Sequence, residues 1–246
     1  MNKKILYVNW GGLGDHLSFT TLPEAFNKQG FEFYISDKSV YRDPKFYDLI
    51  WGENPYVKGI SSEEPNCGHT ENWSCEKPVV FNHGFTINRN IEMLYGIDSN
   101  DNYPIIHTKP INLTEYNDYV LIDLNSVTFS SYNLITIANH ILDNKNEKFL
   151  VIAPTYSKSI VSDGFFNGLD ITPISTTSIF HYYNLIYSCK KIICLWSGGS
   201  VLAATIKNQY KPSLEIDCFK NYNQHPHFGL SDKSHYWYDN INYISS

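Results

Sequence analysis

Three glycines within four residues, Gly11, Gly12 and Gly14, lead directly into Asp15. Before them runs the apolar, β-prone stretch Lys4-Ile5-Leu6-Tyr7-Val8, and after them the chain turns helical through Leu17 to Leu22-Pro23. A strand, a glycine turn and a helix N-terminus together form an anion site, because free N–H groups and the helix dipole point outward. Glycine also admits positive φ and lets a ligand approach the backbone without meeting a Cβ. Asp15 is thereby expected at the carboxyl edge of the first strand, where open α/β sheets hold their ligands. It can act there as a base toward a hydroxyl, or merely cap a helix over 16–26. His16, next in the chain, is expected to face solvent.

A second turn repeats the first. The buried-type strand Lys191-Ile192-Ile193-Cys194-Leu195-Trp196 runs into Ser197-Gly198-Gly199-Ser200 and then into the helix-forming run Val201 to Ile206. Small residues and hydroxyl donors suit this turn to phosphate, though a plain strand–helix turn needs the same residues.

The elements that must position these turns are legible as alternating strands and helices. In the first half they are a strand over 31–36, helical turns near 22–26 and 47–51, Asn54-Pro55 turning into an extended segment, a strand over 79–83 and a helix over 90–95. The stretch 101–118, bracketed by Pro104 and Pro110, reads as a linker. The pattern then restarts with strands over 119–124 and 148–153, an amphipathic helix over 133–142, a helix over 179–188 with Ser178 as N-cap, and a last strand over 213–217. This order implies an α/β protein of two Rossmann-like, doubly wound domains facing a cleft. The first spans 1–115; the second spans 116–246, with a tail that packs back on the first.

Bulk properties narrow the class. Apolar residues make up 42% and charged residues 18% of the 246, which indicates a folded, soluble protein. A net charge of −6 argues against a nucleic acid held by phosphate neutralisation, although a modified base remains open as an acceptor. No run reaches the roughly 18 apolar residues of a membrane span. Five cysteines without framework spacing suit a reducing cytoplasm. Cys67, His69 and Cys75, with His83, offer zinc-type ligands, but their spacing matches no paired pattern, so 61–78 reads as a solvated loop and no metal is assigned. His225 and His227 read as packing or acceptor contacts.

Set in order, Gly14-Asp15, Thr20-Thr21-Leu22-Pro23, Asn54-Pro55-Tyr56-Val57, the helix 179–188, Ser197-Gly198 and Leu202-Ala203-Ala204 resemble the motifs of the ADP-heptose:lipopolysaccharide heptosyltransferases, glycosyltransferase family 9. Trp196, Gly199 and Val201 stand where that family has Asp, Pro and His, and the chain is shorter than a typical member. The resemblance implies a GT-B fold and metal-independent transfer of a sugar from a nucleotide-sugar donor to a hydroxyl, preferably on a glycan, with no other cofactor. Asp15 then becomes the candidate base. Gly12, Gly14, Ser197, Gly198, Gly199 and Ser200 become candidate donor contacts, and Asn125, Ser126 and Lys158 replace the family's phosphate-gripping residues. Two other readings stay open. One is a non-catalytic nucleotide- or sugar-binding module of GT-B descent, favoured by Trp196 and Val201. The other is an NAD(P)-dependent oxidoreductase, suggested by Gly12-Leu13-Gly14 and Asp37, but with Leu17 where its third glycine belongs.

Overall fold

The computed structural model describes residues 2–70, 86–97, 103–126, 132–153, 158–159, 166, 168–220 and 238–245. The chain divides into two compact units, Met1–Lys109 with Ser231–Tyr238, and Pro110–Leu230 with Asp239–Ser246.

The first unit is built on four parallel strands in the order β3-β2-β1-β4. These are β1 (Lys3–Tyr7), β2 (Glu32–Ser36), β3 (Val57–Ser61) and β4 (Cys67–Gly68). Ile5 registers with Tyr34 and Leu6 with Cys67. The side chains of Leu6, Val8, Leu17, Leu22, Phe33 and Ile35 are fully buried around this sheet.

The helix expected over 16–26 is two helices, α1 (Leu13–Leu17) and α2 (Leu22–Lys28). Hydroxyls cause the break. Ser18 Oγ donates to the Gly14 carbonyl at 2.7 Å and Thr20 Oγ1 to the Leu17 carbonyl at 2.8 Å, competing with the helical ladder. Pro23 then brings no N–H to continue α1 and suits the first turn of α2. Asp48–Gly52 forms a π-wound turn. The 61–78 stretch contains a strand where a loop is expected. Gly68 lies at φ +84°, and a Cβ there would collide with the Tyr7 carbonyl, so glycine permits β4 to approach β1. Helix α3 (Ile87–Leu94) follows, capped by Thr86 Oγ1. The strand anticipated over 79–83 lies outside the described residues, as do Cys75, His83, His225 and His227.

The second unit holds six parallel strands in the order β12-β11-β10-β5-β7-β9. In chain order they are β5 (Tyr119–Asp123), β7 (Lys148–Ile152), β9 (Ile171–Ile174), β10 (Lys191–Leu195), β11 (Glu215–Lys220) and β12 (Asn242–Ser245), with the small antiparallel pair β6 (Asn125–Ser126) and β8 (Lys158–Ser159) set apart. Val120, Ile122, Phe149, Ile193, Leu195 and Phe219 form a core with Ile137 and Ile141 of α4 (Leu134–Asp143). Strands buried on both faces read as continuous apolar runs, which is why β5, β7 and β10 are visible in the sequence. Edge strand β9 is not, because Pro173 sits inside it. Helices α5 (Ile179–Ser188) and α6 (Gly198–Gln209) complete the unit.

A charged network pins the middle of this sheet. Asp217 on β11 accepts from His140 at 2.8 Å, Lys191 at 2.6 Å and Asn242 at 2.7 Å. Burial pushes its carboxyl up, but these three bonds outweigh that and hold it well below the ordinary carboxylate range.

Candidate functional site

In the first unit, the turn after β1 places Asp15 as expected near the carboxyl end of the strand, but as the third residue of α1 rather than its cap. Its Oδ2 accepts from the Gly12 N–H at 2.9 Å. A Cβ on Gly12 would stand 2.6 Å from that same oxygen and 3.4 Å from Arg42 Nη1, so glycine is what admits the returning carboxylate. Gly11 turns the chain at φ +68° beneath Val40. Gly12 and Gly14 are both buried, so these two candidate donor contacts serve the turn itself. Asp15 is half-buried and lines a shallow, open hollow with Trp10, Ser18, Phe19, His69, Ile87 and Ile91.

His16 does not face solvent. It is fully buried, stacked on Tyr41 at 4.4 Å, with Nε2 donating to the Val40 carbonyl at 2.8 Å and Nδ1 accepting from the Trp51 indole at 3.3 Å. Burial lowers its pKa to about 4, against a weaker opposing effect of the Val40 carbonyl. A neutral ring with both nitrogens satisfied is a core element, not a proton carrier. Cys67 is likewise buried, and burial pushes its thiol up to about 12, which leaves it a poor ligand as it stands.

In the second unit, the turn between β10 and α6 satisfies much of its own hydrogen bonding. Ser197 Oγ accepts from the Gly199 N–H at 3.2 Å, Ser200 Oγ accepts from the Ser197 N–H at 3.2 Å, and the Ser200 hydroxyl donates to the Ser197 carbonyl at 2.7 Å. Gly199 and Ser200 are buried, whereas Ser197 and Gly198 are partly exposed. Of the four candidate donor contacts in this turn, the latter two are therefore the accessible ones.

Two residues the sequence reading did not single out stand against this turn. Asp123, at the carboxyl end of β5, accepts from the Tyr182 hydroxyl of α5 at 2.6 Å and from the Asn125 side chain at 2.9 Å. Burial raises the Asp123 pKa, offset in part by those bonds, and the groups it accepts from are neutral. Gly199 is required beside them: a Cβ would collide with the Tyr182 hydroxyl and stand 3.2 Å from Asp123 Oδ2. The signal was present, since an acid at a strand's carboxyl end is where such folds place function.

Asn125 belongs to this cluster, with its Oδ1 buried and lacking a partner among the described residues. Ser126 and Lys158 are paired across β6 and β8. Val201, at the family's His position, is fully buried, and Trp196 is half-buried at the end of β10. Among the described residues, no three His, Cys, Asp or Glu side chains are grouped as a metal site, and no helix is long and apolar enough to cross a membrane.

No family model matches the chain, and no curated protein matches it by sequence. Solved structures do. A family 9 glycosyltransferase from Veillonella parvula DSM 2008 superposes with a TM-score of 0.63 over 100% of this chain and 86% of its own, at 9% identity. The fold is GT-B.

Heptosyltransferase WaaC of E. coli, solved with ADP-2-deoxy-2-fluoro heptose, matches 98% of this chain and 92% of its own, at TM-score 0.56 and 9% identity. TibC from enterotoxigenic E. coli H10407, described as an iron-containing dodecameric glycosyltransferase, matches 93% of this chain at TM-score 0.61 and 15% identity. The chain spans 60% of the length of TibC. Within this GT-B frame, the turn after β1 bears Asp15 and the turn after β10 bears Ser197 and Gly198, each at a strand's carboxyl end.

Proposed function

We propose that this chain is a metal-independent glycosyltransferase that moves a sugar from a nucleotide-sugar donor to an acceptor hydroxyl, preferably on a glycan. The observation that carries this reading is the half-buried Asp15 carboxylate, held at the end of β1 by Gly12, in a chain whose whole length superposes on family 9 transferases. Structures of TibC and WaaC contain ADP-heptose or an analogue of it, which supports a nucleoside-diphosphate donor here.

Transfer develops charge at two places. The departing diphosphate gains negative charge, and the N-terminus of α6 with the Ser197 hydroxyl is disposed to stabilise it. The attacking hydroxyl becomes acidic as its bond to carbon forms, and Asp15 accepts its proton at that stage. The helix dipole favours the charged form of a carboxylate in the first turn, so this group serves as a base only as that acidity develops.

Calorimetry against ADP, UDP, GDP, CMP and NAD identifies the nucleotide, and the corresponding nucleotide-sugars are then assayed for turnover with and without a chelator. Asp15→Asn is expected to lower turnover by about 10²–10⁴-fold while leaving nucleotide affinity within threefold. Turnover unaffected by this substitution removes Asp15 from the mechanism.

A second reading is a nucleotide- or sugar-binding module without turnover. It is favoured by the internal hydrogen bonding of the 197–200 turn and by the Asp123 carboxyl beside Gly199. Tight nucleotide binding with no transfer to any hydroxyl acceptor decides for it.

A further inference from the structure

The thiols are nucleophilic groups that no step above uses, and two of them meet. Cys194 on β10 and Cys218 on β11 are Cα partners across adjacent parallel strands, and both are completely buried. Residues in register on neighbouring strands point to the same face of a sheet. Asp123 is the partner of Cys194 on its other side, and it meets the Tyr182 hydroxyl of α5 beside Gly199 of α6. The two thiols therefore lie side by side on the face that α5 and α6 cover. They are unlinked, and the hydrogen bond to Cys218, then burial, push the Cys194 thiol well above its ordinary pKa.

We infer that Cys194 and Cys218 are a reversible disulfide switch, closed by a small-molecule disulfide such as oxidised glutathione, that loosens the turn at Ser197 and Gly198. Strand spacing supplies the geometry. Adjacent strands lie about 4.8 Å apart, inside the range of roughly 4.4–6.8 Å that disulfide-linked Cα atoms span. Side chains that leave a sheet in parallel hold their Cβ atoms near that same spacing, whereas a disulfide brings them to about 3.8 Å. Closure must draw β10 toward β11 by most of an ångström, so the bond is strained and readily reduced. A permanent staple would sit in relaxed geometry; a reversible one need not.

The movement has a direction. Cys194 stands between Cys218 and Asp123, so a pull toward β11 is a pull away from β5. Ser197 follows three residues later in the chain, and Gly199 fits against the Tyr182 hydroxyl and Asp123 without room for a Cβ. Oxidation thus disturbs the contact that seats the N-terminus of α6. In the reaction, one protein thiolate attacks the small disulfide and releases a thiolate; the second protein thiolate then displaces the other half. The pair loses two electrons and two protons, and both end on the two small thiols released. Burial disfavours the thiolates, so closure waits on opening of the core and its rate follows that opening.

To test this, the full chain is incubated with oxidised glutathione in native buffer and in urea below the unfolding midpoint, then acid-quenched, denatured and alkylated with a maleimide. Two of the five cysteines should escape alkylation, sooner in urea, and peptide mapping should join Cys194 to Cys218. Excess reduced glutathione should restore both thiols. Amides across 197–201 should exchange about fivefold faster or more in the linked chain, with β1 and β2 unchanged. Cys218→Ala, checked for folding by its far-UV spectrum, should form no internal link and keep its exchange pattern in oxidised glutathione. Cys194→Ala makes the same comparison from the other strand.

Failure to join these two residues even in urea overturns the inference. So does a different pairing formed in preference, a link that excess reduced glutathione leaves closed, or a linked chain whose 197–201 amides exchange at the unlinked rate. The switch does not rest on the transferase reading: a link that loosens the turn in a chain without nucleotide binding removes that reading and leaves the switch standing.

Discussion

Gly199 shows how much one missing Cβ decides. Tyr182 and Asp123 occupy the space above it, so the N-terminus of α6 can lie against the end of β5 only with a glycine there. Gly199→Ala is expected to lower the urea midpoint, at a cost of about 1–3 kcal/mol for overpacking a fitted site. Tyr182→Phe removes the hydroxyl that the new methyl would strike, and also the donor to Asp123, so it destabilises on its own. The two substitutions together should cost less than the sum of the single effects, because residues in contact are not additive. Strict additivity would mean that the Tyr182 hydroxyl is not what Gly199 makes room for. The family's Pro at this position would place ring atoms in the same space, which gives a physical reason for the departure seen in the sequence.

Helix α1 has five residues, too few to be stable alone, yet it carries Asp15. Its end is held from a distant part of the chain. Asn88 Nδ2 on α3 donates to the carbonyls of Leu17 at 3.1 Å and Ser18 at 3.0 Å, and the Tyr238 hydroxyl donates to Asn88 Oδ1 at 2.9 Å. Asn88→Ala takes the side-chain donor from the buried Ser18 carbonyl and the acceptor from the buried Tyr238 hydroxyl, while the Leu17 carbonyl keeps Thr20 Oγ1, at an expected cost of about 1–3 kcal/mol. Amide hydrogen exchange should report the loss as faster exchange across residues 13–20, with α4 unaffected; protection unchanged in 13–20 would show that the turn does not depend on Asn88.

This support was not legible in the sequence, since nothing local links residue 88 or 238 to residue 17. The continuous apolar strands β1, β5, β7 and β10 were legible, and so was α5, whose expected bounds and Ser178 cap coincide with the structure. What escaped were elements set by partners: the break between α1 and α2, the two-residue β4, and edge strands β9 and β12. The positions of Asp15 and Ser197 followed from local turn chemistry. Asp123 and Tyr182 gained their meaning only from being brought together by packing.

At the scale of the molecule, the same buried groups set how stability responds to pH. His16 has its pKa depressed from 6.5 to about 4 by burial. Between those values the unfolded chain binds a proton that the folded one refuses, so stability is full above pH 6.5 and is lost as pH falls. At about 1.4 kcal/mol for each unit, the ring alone accounts for an upper bound of about 3 kcal/mol by pH 4. His69, depressed to about 4 by burial and then by the neighbouring His16, steepens the same limb.

Asp217, held low by His140, Lys191 and Asn242 against its burial, contributes stability above the ordinary carboxylate range and loses it at still lower pH. Asp123 acts in the opposite sense, because a carboxyl raised by burial favours the folded state below its folded pKa and loses that contribution as pH rises through it. The chain should therefore melt lower at pH 5 than at pH 7. His16→Gln, which keeps one donor and one acceptor but does not titrate, should be less stable at pH 7 through imperfect packing, yet show a flatter decline toward pH 5. Thermal melts at the two values decide it. A decline as steep in His16→Gln as in the parent chain would move the acid sensitivity from His16 to the carboxylates.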